Sequence, residues 1–193
     1  MIRTPGESFR PRFGRGYLQL RTIVNRRVVI LGFMACGKTT VGQALARQVE
    51  CNFIDLDSQI TESEGRSPAQ IIEAEGEAAF REIETLALRD VLHTPNACVI
   101  ALGGGTWTIP ANRTLVALHD CLTVWLDVPF ELCWQRIIGS SRTKRPLAPD
   151  HTTAKKLYEA RRPSYQLAQL RVYASAEKQP ARIVSEIEAA SAR

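Results

Sequence analysis

The chain reads as a doubly wound α/β domain, a five-stranded parallel sheet flanked by helices. Three observations predict this. Short apolar runs alternate with helical patterns along most of the sequence, as parallel strands joined by crossover helices require. The first apolar run ends in a glycine-containing turn that opens a helix, Gly32-Phe33-Met34-Ala35-Cys36-Gly37-Lys38-Thr39. The composition, 193 residues with 45% hydrophobic and 23% charged, is that of a globular domain with a real core and excludes wholesale disorder. No internal repeat is present, and no run approaches the roughly 18 apolar residues of a membrane span.

Taken in order, Val28-Val29-Ile30-Leu31 is a continuous β-branched run closed by Gly32, and it reads as a buried strand. Residues 38–50 follow as a helix, with Val41, Leu45 and Val49 recurring every four residues. Phe53-Ile54 starts a second strand that runs into Asp55-Leu56-Asp57. A helix-rich excursion comes next: a piece over 58–64, one that starts at Pro68 behind the capping residue Ser67, and a longer one over 77–93. The last carries an apolar stripe of Ala79, Ile83, Leu86, Ala87 and Val91. Residues 97–102 form the third strand, stopped by Gly103-Gly104-Gly105. A short helix over 110–118, a fourth strand over 122–126 and a helix over 130–138 follow. Residues 139–151 are polar, basic and proline-containing with no apolar period, and read as a mobile loop. A helix from about Thr153 reaches Pro163. A short strand around Val172-Tyr173 and an amphipathic helix carrying Ile183, Val184 and Ile187 finish the chain. Ligands of such a sheet bind at the carboxyl ends of its strands.

Charge is unevenly spread. Residues 1–27 hold seven arginines and one acid, a net +6, so the remaining residues bring −1 to the chain's total of +5. The basic pI of 9.1 is therefore no sign of nucleic-acid binding by the folded part. Residues 1–25 are expected to be a disordered leader, since Pro5, Gly6, Pro11, Gly14 and Gly16 interrupt any helix and no secretory h-region is present. Residues 26–193 are expected to form the domain. Five cysteines, odd in number and without a CxxC pair, argue against a disulfide framework or zinc site and for a reducing cytosol.

The turn at 32–39 fits G-x-x-x-x-G-K-[ST], a P-loop, at the strand-to-helix position where one must lie. Its backbone N–H groups and the helix N-terminus present positive partial charge to phosphates. Lys38 reaches the β/γ-phosphates and the Thr39 hydroxyl is placed to hold Mg²⁺. Asp55 and Asp57, two apart on a strand end, are expected on one face turned to the P-loop. One can hold the ion directly or through water, while the other orients or deprotonates an acceptor hydroxyl; capping of the next helix by Asp57 or Ser58 is the competing role. The glycine triplet allows close backbone approach to a ligand. Arg81, between Glu77 and Glu84, is either part of a surface charge lattice or an arginine oriented to take a carboxylate. Arg161, Arg162, Arg142, Lys144 and Arg145 pose the same choice, and the last three lie in the loop, where a cation could close over phosphates.

These motifs occur together in one order: 32–40, Ile54-Asp55-Leu56-Asp57, Phe80-Arg81-Glu82-Ile83-Glu84, Leu102-Gly103-Gly104-Gly105, Arg145-Pro146-Leu147 and Arg161-Arg162-Pro163-Ser164-Tyr165. In this the chain resembles the shikimate kinases over about residues 26–190. The resemblance implies a nucleoside-monophosphate-kinase-like P-loop fold, with a helical substrate-binding segment over about 57–93 and a mobile lid over about 139–152. It implies a cytoplasmic, monomeric transferase of aromatic amino-acid (chorismate) biosynthesis that uses ATP and Mg²⁺ to phosphorylate the 3-hydroxyl of shikimate, with neither nucleic acid nor membrane as partner. By position, Asp57 is the base and hydroxyl ligand, and Lys38 and Arg145 complete the catalytic set. Arg81 and Arg161 bind the carboxylate, and Gly104 contacts the substrate. Ala35, Cys36, Gly37, Lys38, Thr39, Thr40 and Arg145 bind the nucleotide, with Arg136 and Lys178 near the adenine. Thr39 and, through water, Asp55 hold the metal. Two positions depart from the pattern: Ala35 and Cys36 stand where the family has glycine and a small residue, and a positive φ at Ala35 would cost about 1 kcal/mol. The competing functions are another small-molecule kinase such as a gluconate kinase, and a non-catalytic nucleotide-sensing module. The first has less need of the Arg81/Arg161 pair, and the second would dispense with Lys38, Asp57 or the lid arginine.

Overall fold

Residues 26–94, 97–140 and 146–191 are described by a computed structural model. The leader, and the loop cations Arg142, Lys144 and Arg145, lie outside the described residues. Strand β1 (Val28–Leu31) is the axis of the sheet. Each of its four side chains is at most 1% exposed, because both faces of a parallel sheet are covered by its own crossover helices. All pairings are parallel, in the order β2-β3-β1-β4-β5, with β2 at Asn52–Asp55, β3 at Ala97–Ala101, β4 at Leu122–Asp127 and β5 at Leu170–Tyr173. The helices are α1 (Lys38–Gln48), α2 (Leu56–Glu64), α3 (Pro68–His93), α4 (Pro110–Leu118), α5 (Phe130–Ile138), α6 (His151–Tyr165) and α7 (Pro180–Ser191). Among the described residues no helix is long and apolar enough to cross a membrane.

The order of strands gathers four carboxyl ends on one edge. There β1 delivers the P-loop, β2 Asp55, β3 the glycine triplet and β4 Asp127. The chain leaves β1, passes over β3 to β2, and returns through β3 before crossing to β4. A crevice therefore opens beside β1, where the connections diverge to opposite sides.

Three elements differ from the sequence reading. Strand β2 stops at Asp55, so Asp57 belongs to α2 and not to a strand; the alternation that would put both carboxylates on one strand face does not operate. The reason is capping. Asp55 turns into the cap of α2, its Oδ1 accepting from the N–H groups of Asp57 (3.1 Å) and Ser58 (3.3 Å). Helix α3 begins with the expected Ser67 cap, completed to a capping box by Gln70. It then runs to His93 with a break at Gly76, where φ is +88°. Helix α6 continues through Pro163 to Tyr165, although a proline inside a helix normally ends it. Pro163 lies in the last turn, and the extension carries Tyr165 to the position one turn beyond Arg161.

Candidate active site

The P-loop wraps its own lysine. Lys38 Nζ donates to the carbonyls of Gly32 (3.1 Å) and Phe33 (2.9 Å), which holds the ammonium over the loop. Gly37 caps α1 at φ +99°, a conformation open to glycine and strained for other residues. Ala35 adopts φ +57°, the strained case that the sequence posed as a condition. Ala35→Gly is accordingly expected to stabilise the protein by about 0.5–1 kcal/mol, the relief of the left-handed alanine less the extra entropy of the unfolded glycine. Denaturant unfolding of the two proteins measures it, and an unchanged midpoint would show that the loop relaxes around Ala35 without cost. Cys36 is buried at 4% exposure, its Sγ 4.0 Å from Lys38 Nζ. Thr39 and Thr40 are exposed at the start of α1.

Asp55 fills two roles. Besides capping α2, it accepts from the Thr39 hydroxyl through Oδ2 at 2.6 Å. Strands β1 and β2 are not neighbours, since β3 lies between them; the first turn of α1 bridges the gap and brings Thr39 to Asp55. Asp57, half-buried at the start of α2, lines a cavity of ≈ 580 Å³ together with Arg81, Arg161 and the glycine triplet.

The triplet explains how these side chains meet. A Cβ on Gly103 would lie 2.9 Å from Asp57 Oδ1 and collide with Glu84; one on Gly104 would lie 3.4 Å from Arg161 Nη1 and 3.3 Å from the Met34 backbone nitrogen; one on Gly105 would collide with the Arg81 guanidinium. Each glycine leaves room for a different functional side chain, as well as for a ligand.

Arg81 is drawn inward by its two acids, and its side chain is only 17% exposed. Its Nη1 donates to Glu84 at 2.6 Å, and Nη2 donates to Glu77 at 2.7 Å. Glu84 is fully buried and also accepts from the Thr106 hydroxyl at 2.5 Å. Burial alone would lower the Arg81 pKa, but Glu84 and Glu77 outweigh it and hold it above the usual arginine value. Arg161 is 6% exposed. Burial lowers its pKa, Arg81 adds to this, and Tyr165 and Glu77 oppose it.

The remaining expected residues divide. Arg136 Nη1 donates to the Ala35 carbonyl at 3.2 Å, so it stands beside the P-loop. Lys178 donates to the Tyr173 carbonyl and to Glu186, each at 2.6 Å, both partners being in the C-terminal segment. Arg162 turns away from the cavity to Asp127 (3.2 Å) and the Tyr158 hydroxyl (2.8 Å). Arg145 lies outside the described residues, but the Pro146 and Leu147 that follow it line the cavity. Thr106 carries no signal in the sequence, and Tyr165 stands in the Arg161–Tyr165 motif without a role of its own. Its legible signal is the i+4 spacing from Arg161, which holds only if the helix runs past Pro163.

The family model for shikimate kinase matches residues 34–191. A shikimate kinase of Ruegeria pomeroyi is 35% identical over 172 residues, covering 88% of this chain and 86% of its own. A crystal structure of shikimate kinase from Acinetobacter baumannii in complex with shikimate superposes with TM-score 0.76 at 31% identity, covering 87% of this chain and 94% of its own. A gluconokinase from Sinorhizobium meliloti superposes with TM-score 0.57 at 17% identity, over 88% of this chain and 93% of its own, a likeness of fold alone.

Proposed function

The chain belongs to the shikimate kinase family, and from that premise we infer how its residues divide the work of ATP-dependent phosphorylation of shikimate. The observation that carries the reading is the charge in the cavity. Arg161 is buried there beside Arg81 and Asp57, and among the described residues it makes no ion pair. A buried cation is costly until an anion meets it. A small hydroxy acid brings that anion, and its hydroxyl gives Asp57 a proton to accept.

Arg81 and Arg161 take the carboxylate of shikimate, and Gly104 lets the ring approach the backbone. Asp57 accepts the proton of the 3-hydroxyl as its oxygen attacks the γ-phosphorus of ATP. The bond from that phosphorus to the β–γ bridging oxygen breaks, leaving ADP and shikimate 3-phosphate. Lys38 and the P-loop N–H groups offset the charge on the phosphates throughout. The Thr39 hydroxyl and Asp55 carboxylate are hard oxygen donors 2.6 Å apart. They fit Mg²⁺, Thr39 as a direct ligand and Asp55 through water, and the ion would add charge neutralisation at the phosphates. We assign to Arg145 the role of the cation that meets the ATP phosphates, on the Arg145-Pro146-Leu147 motif of the family. The thiols of Cys36, Cys121 and Cys133, buried and outside any disulfide among the described residues, are in keeping with a cytoplasmic enzyme.

Mg²⁺-dependent ADP release, with shikimate, gluconate or no acceptor, tests the reading. Turnover is expected with shikimate only. Comparable kcat/KM on gluconate would overturn the assignment of Arg81 and Arg161 to this acceptor.

A further inference from the structure

Arg81 and Arg161 share a cavity, yet the protein holds them in opposite ways. Arg81 is gripped by the carboxylates of Glu77 and Glu84, so much of its charge is already answered. The neighbour of Arg161 is a phenol. Tyr165 lies one turn further along α6, at 1% exposure, its ring against Trp125 with centroids 6.1 Å apart. Its hydroxyl donates to the Gly104 carbonyl at 2.5 Å. The carbonyl can only accept, so the single hydroxyl proton is committed to it. The oxygen lone pairs are then open to the Arg161 guanidinium, which approaches the same glycine, its Nη1 3.4 Å from where a Cβ on Gly104 would stand. Burial raises the Tyr165 pKa, so the phenol stays protonated and this polarity persists. A neutral acceptor gives a cation direction without giving it a counter-charge; a carboxylate at the same place would do both.

We propose that Tyr165 is a positioning residue that ties Arg161 to the Gly104 backbone while leaving its charge unanswered, and so sets the preference of the cavity for an anionic over a neutral acceptor. This rests on the reading that the cavity takes the shikimate carboxylate. It also gives α6 a reason to run through Pro163, since a helix that ended there would not place the phenol at this point.

The test is calorimetric titration of the full chain and its Tyr165→Phe variant with shikimate and with shikimate methyl ester, the neutral analogue. Phenylalanine keeps the ring that fills the core, and a thermal melt of each protein checks the fold. The wild type is expected to prefer the acid. The variant is expected to lose about ten-fold in affinity for shikimate and little for the ester, as befits a hydrogen bond that orients a charged group. In kinetics KM for shikimate rises more than kcat falls, and KM for ATP holds. In an Arg161→Met background the same substitution is expected to cost nothing further. Equal losses on acid and ester, no loss on either, or additive losses in the double variant would overturn the proposal. A wild type that binds acid and ester alike would instead overturn the carboxylate reading beneath it.

Discussion

Asp57→Asn lowers kcat for shikimate phosphorylation by about 10²–10⁴-fold, the span typical of a lost general base. Asparagine matches aspartate in shape but cannot accept the hydroxyl proton, so KM for ATP is expected to stay near its wild-type value. The fold is expected to persist as well. Asp57 is not the cap of α2, which is Asp55, and its carboxylate lies over Gly103 at the cavity. The cost to stability is that of one acid in the first turn of a helix, about 0.3–1 kcal/mol. Steady-state ADP release and a thermal melt on the same preparation separate the two effects. A kcat within ten-fold of wild type would remove Asp57 from proton transfer and leave it as a ligand for the acceptor hydroxyl.

Arg161→Met gives the second large effect, and it splits binding from stability. Loss of a desolvated charge partner is expected to raise KM for shikimate by about 100-fold or more. The ligand-free protein is expected to be no less stable than the wild type. Arg161 is 6% exposed, without an ion pair among the described residues, and an apolar side chain of similar length removes a buried charge that no described carboxylate pairs. Thermal melts with and without shikimate check both halves: the wild type gains a ligand-induced shift and the variant loses it. A variant that melts well below the wild type without ligand would show that the Arg161 charge is already compensated inside the protein.

Much of this molecule is legible in its sequence, because local rules operate there without competition. The P-loop is one continuous segment whose strand and helix are fixed by their own apolar periods. Ser67 and Pro68 begin α3 through backbone chemistry confined to its first turn. The bounds of α4 and α5 follow from apolar spacing in the same local way. The DLD segment shows where local rules collide. Strand alternation and helix capping both apply to Asp55, and capping prevails because two orphan N–H groups of α2 need an acceptor. Pro163 is a similar case. Its local signal ends a helix, yet the packing of Tyr165 against Trp125 and its bond to Gly104 accompany the extra turn.

The sheet class, the phosphate loop and the residue types of the site can all be read along the chain. How those residues are held depends on which elements meet in the fold. Glu84 is surface charge on a helical wheel, but in the fold it is buried between Arg81 and Thr106. The glycine triplet reads as an open turn, but it is the floor over which Asp57, Arg161 and Arg81 converge from α2, α6 and α3. The physical reason is that periodicity records which face of an element is apolar. It does not record which other element that face will meet, and the charge state and aim of a buried arginine depend on that meeting.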